Sequence, residues 1–286
     1  MQRTLSTYLL IKRKLTPGLI FDIARSGANA VEVFCARGHF DYRSTDAVRE
    51  LASALRDHNL KLHALHAPAE RDFNPRHESA APLSISDPER VRRTEAVDEI
   101  KRALDVAEML PFSILVQHMG GSRETADQRS FDAAFNSLEH LHIFAKQRGV
   151  TIALENTPGE IATPARLQQF IIDTRLTGLR LCLDVGHAHM ADGVEASLET
   201  MKEFLVTSHV HDNHGEKDEH LPPFEGSIDW KAALAGLSAA GVPLVLELKE
   251  QAGWAEPTLA SVSLDAARAA FDKIEQTLEA SSASHA

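Results

Sequence analysis

Short apolar runs alternate along the whole chain with segments whose apolar residues recur every three or four positions. The runs are rich in β-branched and large apolar residues and predict eight strands. These cover residues 5–11, 30–35, 60–67, 113–118, 150–155, 179–184, 206–211 and 243–248. The intervening segments predict helices that bury one face, as in Val48, Leu51, Ala52 and Leu55. A strand–helix alternation repeated about eight times predicts a parallel sheet closed as a (β/α)8 barrel, the TIM barrel fold.

Helix boundaries in the sequence agree with this alternation. Ser44 and Ser86 precede helical segments, and Gly149 and Gly241 each close a helix before a strand begins. Neither a linker nor a shift in composition divides the chain, so we expect one domain over residues 1–286, with a tail that frays after about Leu278. The longest irregular segment, 69–87, predicts either a flap over a site or a mobile insertion.

Composition narrows the class of protein. Hydrophobic residues make up 43% of the chain, which is enough for a full core, and 30 basic against 41 acidic residues give a net charge of −11. This balance argues against a broad nucleic-acid-binding surface. Cys35 and Cys182 form no pairing or metal motif, which indicates a reducing compartment. The apolar run at 8–11 is too short for a signal peptide or a membrane span. We therefore expect a cytoplasmic protein without membrane contact, and a homo-oligomer is compatible with the sequence.

Potential metal ligands occur where the predicted strands end. In a barrel, these carboxyl ends converge on one mouth, so polar groups there are candidates for function. One stretch, 209–226, holds four histidines and five carboxylates in eighteen residues. Such clustered carboxylates would repel one another unless cations lie among them, which predicts a divalent-metal site. The candidates are His66, His118, Glu155, Asp184, His187, His209, Asp218, His220 and Glu247.

These residues lie in motifs that resemble a known family over nearly the full chain. The motifs are His66-Ala67-Pro68, Gln117-His118-Met119-Gly120-Gly121, Leu154-Glu155-Asn156-Thr157, Asp184-Val185-Gly186-His187-Ala188, His209-Val210-His211-Asp212, Asp218-Glu219-His220 followed by Glu225-Gly226, and Leu246-Glu247. In order and spacing they resemble the xylose isomerase-like barrel superfamily, which includes endonuclease IV, the ketose 3-epimerases and sugar-phosphate isomerase-like proteins.

The resemblance implies between one and three divalent ions. Endonuclease IV holds three zinc ions through nine ligands, and the nine candidates above correspond to them, with Glu155 as the bridging carboxylate. The epimerases and isomerases keep a smaller set around one Mn, Co, Mg or Zn ion, corresponding to Glu155, Asp184, His209 and Glu247.

The motifs also distinguish the ligands from neighbouring polar residues. His209 and His211 lie two apart on a predicted strand and would point to the same face, and the family pattern His-x-x-Asp selects His209 as the ligand. Asn156 and Asp212 resemble residues that orient ligands from behind. Five further histidines have no family counterpart and are interpreted as solvated or hydrogen-bonded: His39, His63, His77, His189 and His214.

Three functions remain open at this stage. The first is a metal-dependent sugar or sugar phosphate isomerase or epimerase, in which Glu155 and Glu247 exchange a proton with the substrate through an enediolate. The second is a multi-zinc phosphodiester hydrolase of the endonuclease IV type, or a related lyase, for which Arg71, Arg76 and Arg123 are candidate phosphate-binding residues. The third is a catalytically silent barrel that binds a metal or a sugar.

Overall fold

Eight parallel strands pair in sequence order and close into a barrel, in which β1 also pairs with β8. The computed structural model describes residues 1–71, 81–121, 124–251 and 260–283. The strands are β1 Thr4–Ser6, β2 Ala30–Phe34, β3 Lys61–His66, β4 Ile114–His118, β5 Thr151–Glu155, β6 Arg180–Asp184, β7 Leu205–Val210 and β8 Leu244–Leu246. The predicted (β/α)8 TIM barrel is confirmed.

Helices follow the strands and cover the outside of the barrel. They are α1 Pro17–Arg25, α2 Thr45–Asp57, α3 Arg90–Asp105, α4 Gln128–Lys146, α5 Pro164–Thr174, α6 Val185–His189, α7 Val194–Met201, α8 Trp230–Ala239 and α9 Ala260–Ala283. Several begin at a side chain that caps the first turn: Ser44 accepts a hydrogen bond from the Ala47 N–H, and Asp127 accepts one from the Ser130 N–H.

The core lies between the barrel and these helices. The predicted stripe on α2 is buried, with Val48, Leu51 and Leu55 at most 5% exposed. Inside the barrel, Val116, Ala153 and Cys182 form a small apolar cluster. The polar residues at the carboxyl ends of the neighbouring strands lie at the mouth of the barrel.

One sequence prediction differs from the structure. The strand predicted at 5–11 ends at Ser6, because the Ser6 hydroxyl accepts a hydrogen bond from the Tyr8 N–H and starts a 3₁₀ turn at Thr7–Leu10. The last helix, α9, continues to Ala283, and the fraying expected after Leu278 stays a prediction. Among the described residues, no helix combines the length and apolar character required to cross a membrane.

Candidate metal centre

The carboxyl ends of the strands bring the candidate ligands together. His66, His118, Glu155 and Asp184 are the last residues of β3, β4, β5 and β6. His209 lies on β7, and Glu247 follows β8 directly. His187 lies on α6, immediately beyond β6, while Asp218 and His220 belong to the loop after β7. All nine predicted ligands therefore lie at one end of the barrel.

The first group of ligands consists of three carboxylates around one imidazole. His209 Nδ1 lies 3.3 Å from Glu155 Oε1, 3.4 Å from Glu247 Oε2 and 3.9 Å from Asp184 Oδ2. Ligand atoms arranged tetrahedrally around a zinc ion are about 3.4 Å apart. The spacing of this group, which we call the core group, therefore fits a small divalent cation.

An unsatisfied nitrogen supports that fit. His209 Nδ1 is fully buried and makes no hydrogen bond to the part of the chain that the structure describes. Buried polar atoms are almost always satisfied, and this one is directed at three carboxylates. A cation held among these four side chains would use the nitrogen as a ligand and would offset the repulsion between the carboxylates.

Glu155 also takes part in a second group. Its Oε2 atom lies 3.2 Å from His66 Nε2 and 3.1 Å from His118 Nε2, whereas Oε1 faces His209 in the core group. The two oxygens of one carboxylate thus belong to two neighbouring groups of ligand atoms. This is the geometry expected of a bridging carboxylate, as the resemblance implies for Glu155.

The third group gathers histidines around Asp218. His220 Nε2 and His187 Nε2 lie 3.1 Å and 3.4 Å from Asp218 Oδ2, and His211 Nε2 lies 3.9 Å from Asp218 Oδ1. His211 also stacks on His220, with ring centroids 3.9 Å apart. His211 is therefore a fourth member of this group that the sequence pattern left out.

The structure distinguishes His209 from His211 as members of the ligand groups. The sequence predicts both on one strand and on one face, but β7 ends at Val210. His211 therefore starts the following loop, and its Nε2 lies 3.0 Å from Asp184 Oδ1, on the side of Asp218. His209 faces the core group and His211 faces the third group, so the two histidines do not compete for one position.

Opposite charges shift the pKa values across the centre. Burial would lower the pKa of His187, but Asp184, Asp218 and Glu155 raise it to about 10. Burial would raise the pKa of Glu155, but His209 and His118 hold it well below its usual range. Without a metal ion these charges favour protonated histidines, so an ion that bound through the same nitrogen atoms would displace protons.

Residues behind the centre fix its backbone. The Asn156 side chain accepts a hydrogen bond from the Asp184 N–H at 2.7 Å and donates one to the Asp184 carbonyl at 2.9 Å. The Asn156 carbonyl also lies 2.9 Å from His187 Nδ1. Asn156 therefore contacts two of the candidate ligands directly, as expected of a residue that orients them.

Asp212 acts on the loop instead of on a ligand. Its Oδ1 accepts hydrogen bonds from the N–H groups of Asn213 and Ile228, and its Oδ2 accepts them from the Phe224 N–H and Trp230 Nε1. These contacts hold the segment that carries Asp218 and His220. The orienting role predicted for Asp212 is thus indirect.

Glu32 is a buried acid of this region that the sequence analysis did not select. It lies on β2 with no exposed surface, and its Oε1 is 3.1 Å from His209 Nε2. Its position within the apolar run 30–34 gave no strand-end signal. A carboxylate flanked by valines in a predicted strand, with its side chain on the lumen face, could have identified it.

A cavity of about 480 Å³ opens above the centre. Its wall includes ligand residues of all three groups, and an aromatic side is formed by Tyr8 and Phe34, whose ring centroids are 5.2 Å apart. Pockets for small molecules usually measure about 300–1,000 Å³. The cavity therefore has the size of a small-molecule site.

The remaining polar residues from the sequence analysis make contacts outside the three ligand groups or fall outside the described residues. His39 Nδ1 contacts the Arg13 carbonyl, and His63 Nε2 contacts the Thr207 hydroxyl. Arg71 forms an ion pair with Glu95. His189 contacts the Ser227 hydroxyl and His214 contacts Glu219. Arg76, His77, Arg123 and most of the predicted flap at 69–87 fall outside the described residues.

The chain is similar in sequence to a known protein family and to individual proteins. The model of the xylose isomerase-like TIM barrel family matches residues 20–270. The uncharacterized protein MJ1311 of Methanocaldococcus jannaschii is 29% identical over 239 residues, which are 80% of this chain and 77% of that protein.

Solved structures share the fold. A D-tagatose 3-epimerase-like protein superposes with a TM-score of 0.81 at 23% identity, over 100% of both chains. L-ribulose 3-epimerase gives 0.78 at 18% identity, over 99% of this chain and 96% of its own. The IolI protein with a bound zinc atom gives 0.73 at 19% identity, over 96% of each chain. At these identities the similarity establishes the fold.

Proposed function

The chain belongs to the xylose isomerase-like TIM barrel family, and on this premise we propose that it is a divalent-metal-dependent sugar isomerase or epimerase. One observation carries the proposal: Glu155 and Glu247 both approach His209 Nδ1, at 3.3 Å and 3.4 Å, and both line the cavity. Two carboxylates facing one small-molecule cavity can remove a proton from a substrate carbon and return one. The similarity to sugar epimerases points in the same direction.

The core group would hold the ion through Glu155, Asp184, His209 and Glu247. Zn, Mn, Co and Mg are candidates, and the zinc atom in the IolI structure makes zinc the first to test. When bound, such an ion polarises a carbonyl group and stabilises negative charge that develops on its oxygen.

The protein's own side chains would then handle the proton. Glu155 Oε2 and the Glu247 carboxylate are the acid–base pair, and the reacting face of the sugar decides which of them takes the proton. The Ser6 hydroxyl lies 3.4 Å from Glu247 Oε1 and orients that carboxylate. Tyr8 and Phe34 would provide an apolar wall for the sugar ring.

A multi-zinc phosphodiester hydrolase, or a related lyase, is the second candidate, because all three groups of ligand atoms are assembled. The two candidates assign different roles to Glu155 Oε2. With one ion in the core group, that oxygen is available to accept a proton. With a second ion beside His66 and His118, it becomes a ligand. Among the described residues that line the cavity there is no lysine or arginine, which favours an unphosphorylated sugar.

The test combines metal analysis with a substrate panel. The purified protein should contain tightly bound divalent metal and should convert a ketopentose or ketohexose, incorporating one solvent deuterium at the reacting carbon in D₂O. Sugar phosphates and abasic duplex DNA complete the panel. Metal-free protein that is not stabilised by added Zn, Mn or Co would contradict the proposal, and so would cleavage of the abasic duplex without turnover of any sugar.

Matched variants assign the acid–base pair. Glu155→Gln and Glu247→Gln should each abolish turnover and leave the fold intact, since the amide keeps the size but cannot transfer the proton. Glu70→Gln is the control, because Glu70 lines the same cavity outside the three groups and should retain kcat. Near wild-type kcat in either glutamine variant would remove that residue from the mechanism. A protein that binds metal and sugar but never turns over would indicate a silent barrel.

A further inference from the structure

Glu32 is a fully buried carboxylate beneath the core group. It lies on β2, and both of its oxygens approach His209 Nε2, Oε1 at 3.1 Å and Oε2 at 3.3 Å. The Ser6 hydroxyl is its other hydrogen-bonding neighbour, at 3.5 Å. Burying a charged carboxylate in the barrel lumen is costly unless it is paired, so the contact with His209 balances a large desolvation penalty.

The His209 ring lies between two sets of carboxylates. Its Nδ1 atom faces Glu155, Glu247 and Asp184, whereas its Nε2 atom faces Glu32. An imidazole that binds a metal through one nitrogen keeps its proton on the other, and the group accepting that proton fixes the tautomer and the ring orientation. The position of Glu32 matches that of such an acceptor.

We propose that Glu32 is a positioning residue for the metal centre. It accepts the Nε2 proton of His209 and so presents the unprotonated Nδ1 to the core group. The inference rests on the divalent-ion part of the proposed function and is independent of the reaction catalysed.

Ser6 links this acceptor to a second ligand. Its hydroxyl lies 3.5 Å from Glu32 Oε1 and 3.4 Å from Glu247 Oε1, and Ser6 is paired with Glu32 across β1 and β2. A shift of Glu32 would therefore disturb both the His209 ring and the Glu247 carboxylate. The role of Glu32 is thus to hold the geometry of two ligands from below.

The experiment measures Zn²⁺ affinity by chelator competition on the full chain. Glu32→Gln should weaken the binding of one Zn²⁺ ion by about 10- to 100-fold, the usual effect of losing such a support. Glu99→Gln is the control, because Glu99 is another buried acid, lies on α3, contacts Arg43 and Tyr42, and belongs to none of the three ligand groups. The control should bind Zn²⁺ like the wild type.

A second readout reports the tautomer directly. In ¹⁵N-histidine-labelled, Zn²⁺-loaded protein, the His209 signals, assigned with His209→Gln, should show a protonated Nε2 and a metal-bound Nδ1. In Glu32→Gln the signature of a fixed tautomer should be lost. If Glu32→Gln fails to fold, Glu32→Asp withdraws the carboxylate by one methylene and should still weaken Zn²⁺ binding.

The outcomes separate the two proposals. Wild-type protein that binds no Zn²⁺ would remove the metal part of the proposed function. Wild-type binding with unchanged affinity and tautomer in Glu32→Gln, or in Glu32→Asp where only that variant folds, would overturn the positioning role. An equal loss in Glu99→Gln would also overturn it, since the effect would then be general.

Discussion

Replacing Asp212 by asparagine should destabilise the loop that carries Asp218 and His220. The Asp212 carboxylate is fully buried and accepts four hydrogen bonds, two on each oxygen, at 2.7–3.2 Å. Asparagine retains one acceptor oxygen, and its NH₂ group would face two N–H donors. A hydrogen bond to a charged group contributes about 1.5–3 kcal/mol, so losing two should cost about 3–6 kcal/mol. The free energy of unfolding of a typical protein is about 5–15 kcal/mol, so the loss would be a large fraction of the total stability.

Backbone conformation in the same loop adds to the effect. His220 and Phe224 adopt positive φ angles of 48° and 75°, which cost energy in residues other than glycine. The Phe224 N–H is one of the donors to Asp212, so that carboxylate holds a strained turn in place. Without it the turn should relax and move Asp218 and His220 away from His187.

Urea unfolding, monitored by circular dichroism, gives the free energy of unfolding, and Zn²⁺ titration gives the occupancy of the third group. Trp230→Phe is the matched variant, because it removes one of the four donors and leaves the carboxylate. It should lose about half as much stability. If Asp212→Asn loses less than about 1 kcal/mol and binds Zn²⁺ normally, the carboxylate does not hold the loop.

Three further predictions follow from buried contacts. Burial lowers the pKa of His39 from 6.5 to about 4, so the unfolded chain takes up a proton at a higher pH than the folded protein does. The contribution of neutral His39 to stability is therefore complete above pH 6.5 and should fall by about 2 kcal/mol on going to pH 5. Unfolding compared at both pH values should not show this loss in His39→Leu. Gly186→Ala would place a Cβ in steric clash with the His211 ring. About 1–3 kcal/mol of stability should be lost in thermal unfolding, together with Zn²⁺ at the third group in metal analysis. An unchanged variant would contradict the packing. The double variant Asp218→Ala with His220→Ala should keep the ion in the core group and lower the substrate affinity modestly. Metal stoichiometry and KM measure these two effects. Loss of an ion together with collapse of turnover would favour the hydrolase.

The sequence predicted most of the site because the strand ends carry a simple signal. Apolar runs such as 114–116 and 152–154 contain no polar side chain, so His118 and Glu155 are conspicuous near the ends of their strands. The parallel barrel then brings these ends together whatever the details of packing. Nine predicted ligands lie at one mouth for this reason.

What the sequence missed depends on contacts across the barrel. Glu32 is paired with His209, 177 positions away, and the flanking valines that mark it as unusual do not reveal that partner. The strand period placed His211 on the same face as His209, and the family motif then left it out of the ligand set; the period ceases to apply where β7 ends at Val210. The 3₁₀ turn after Ser6 replaces a strand because one hydroxyl caps it, and the same apolar residues suit either structure.

Metal ions bound to neighbouring ligand groups would depend on one another through Glu155. Because its two oxygens belong to the core group and to the pair His66 and His118, an ion at either position changes the charge and mobility of the carboxylate that the other position uses. Such coupling is reciprocal, so metal titrations should depart from independent-site behaviour. The concentration of available metal would then determine how many of these ligand groups are occupied, and therefore whether Glu155 accepts protons or bridges two cations.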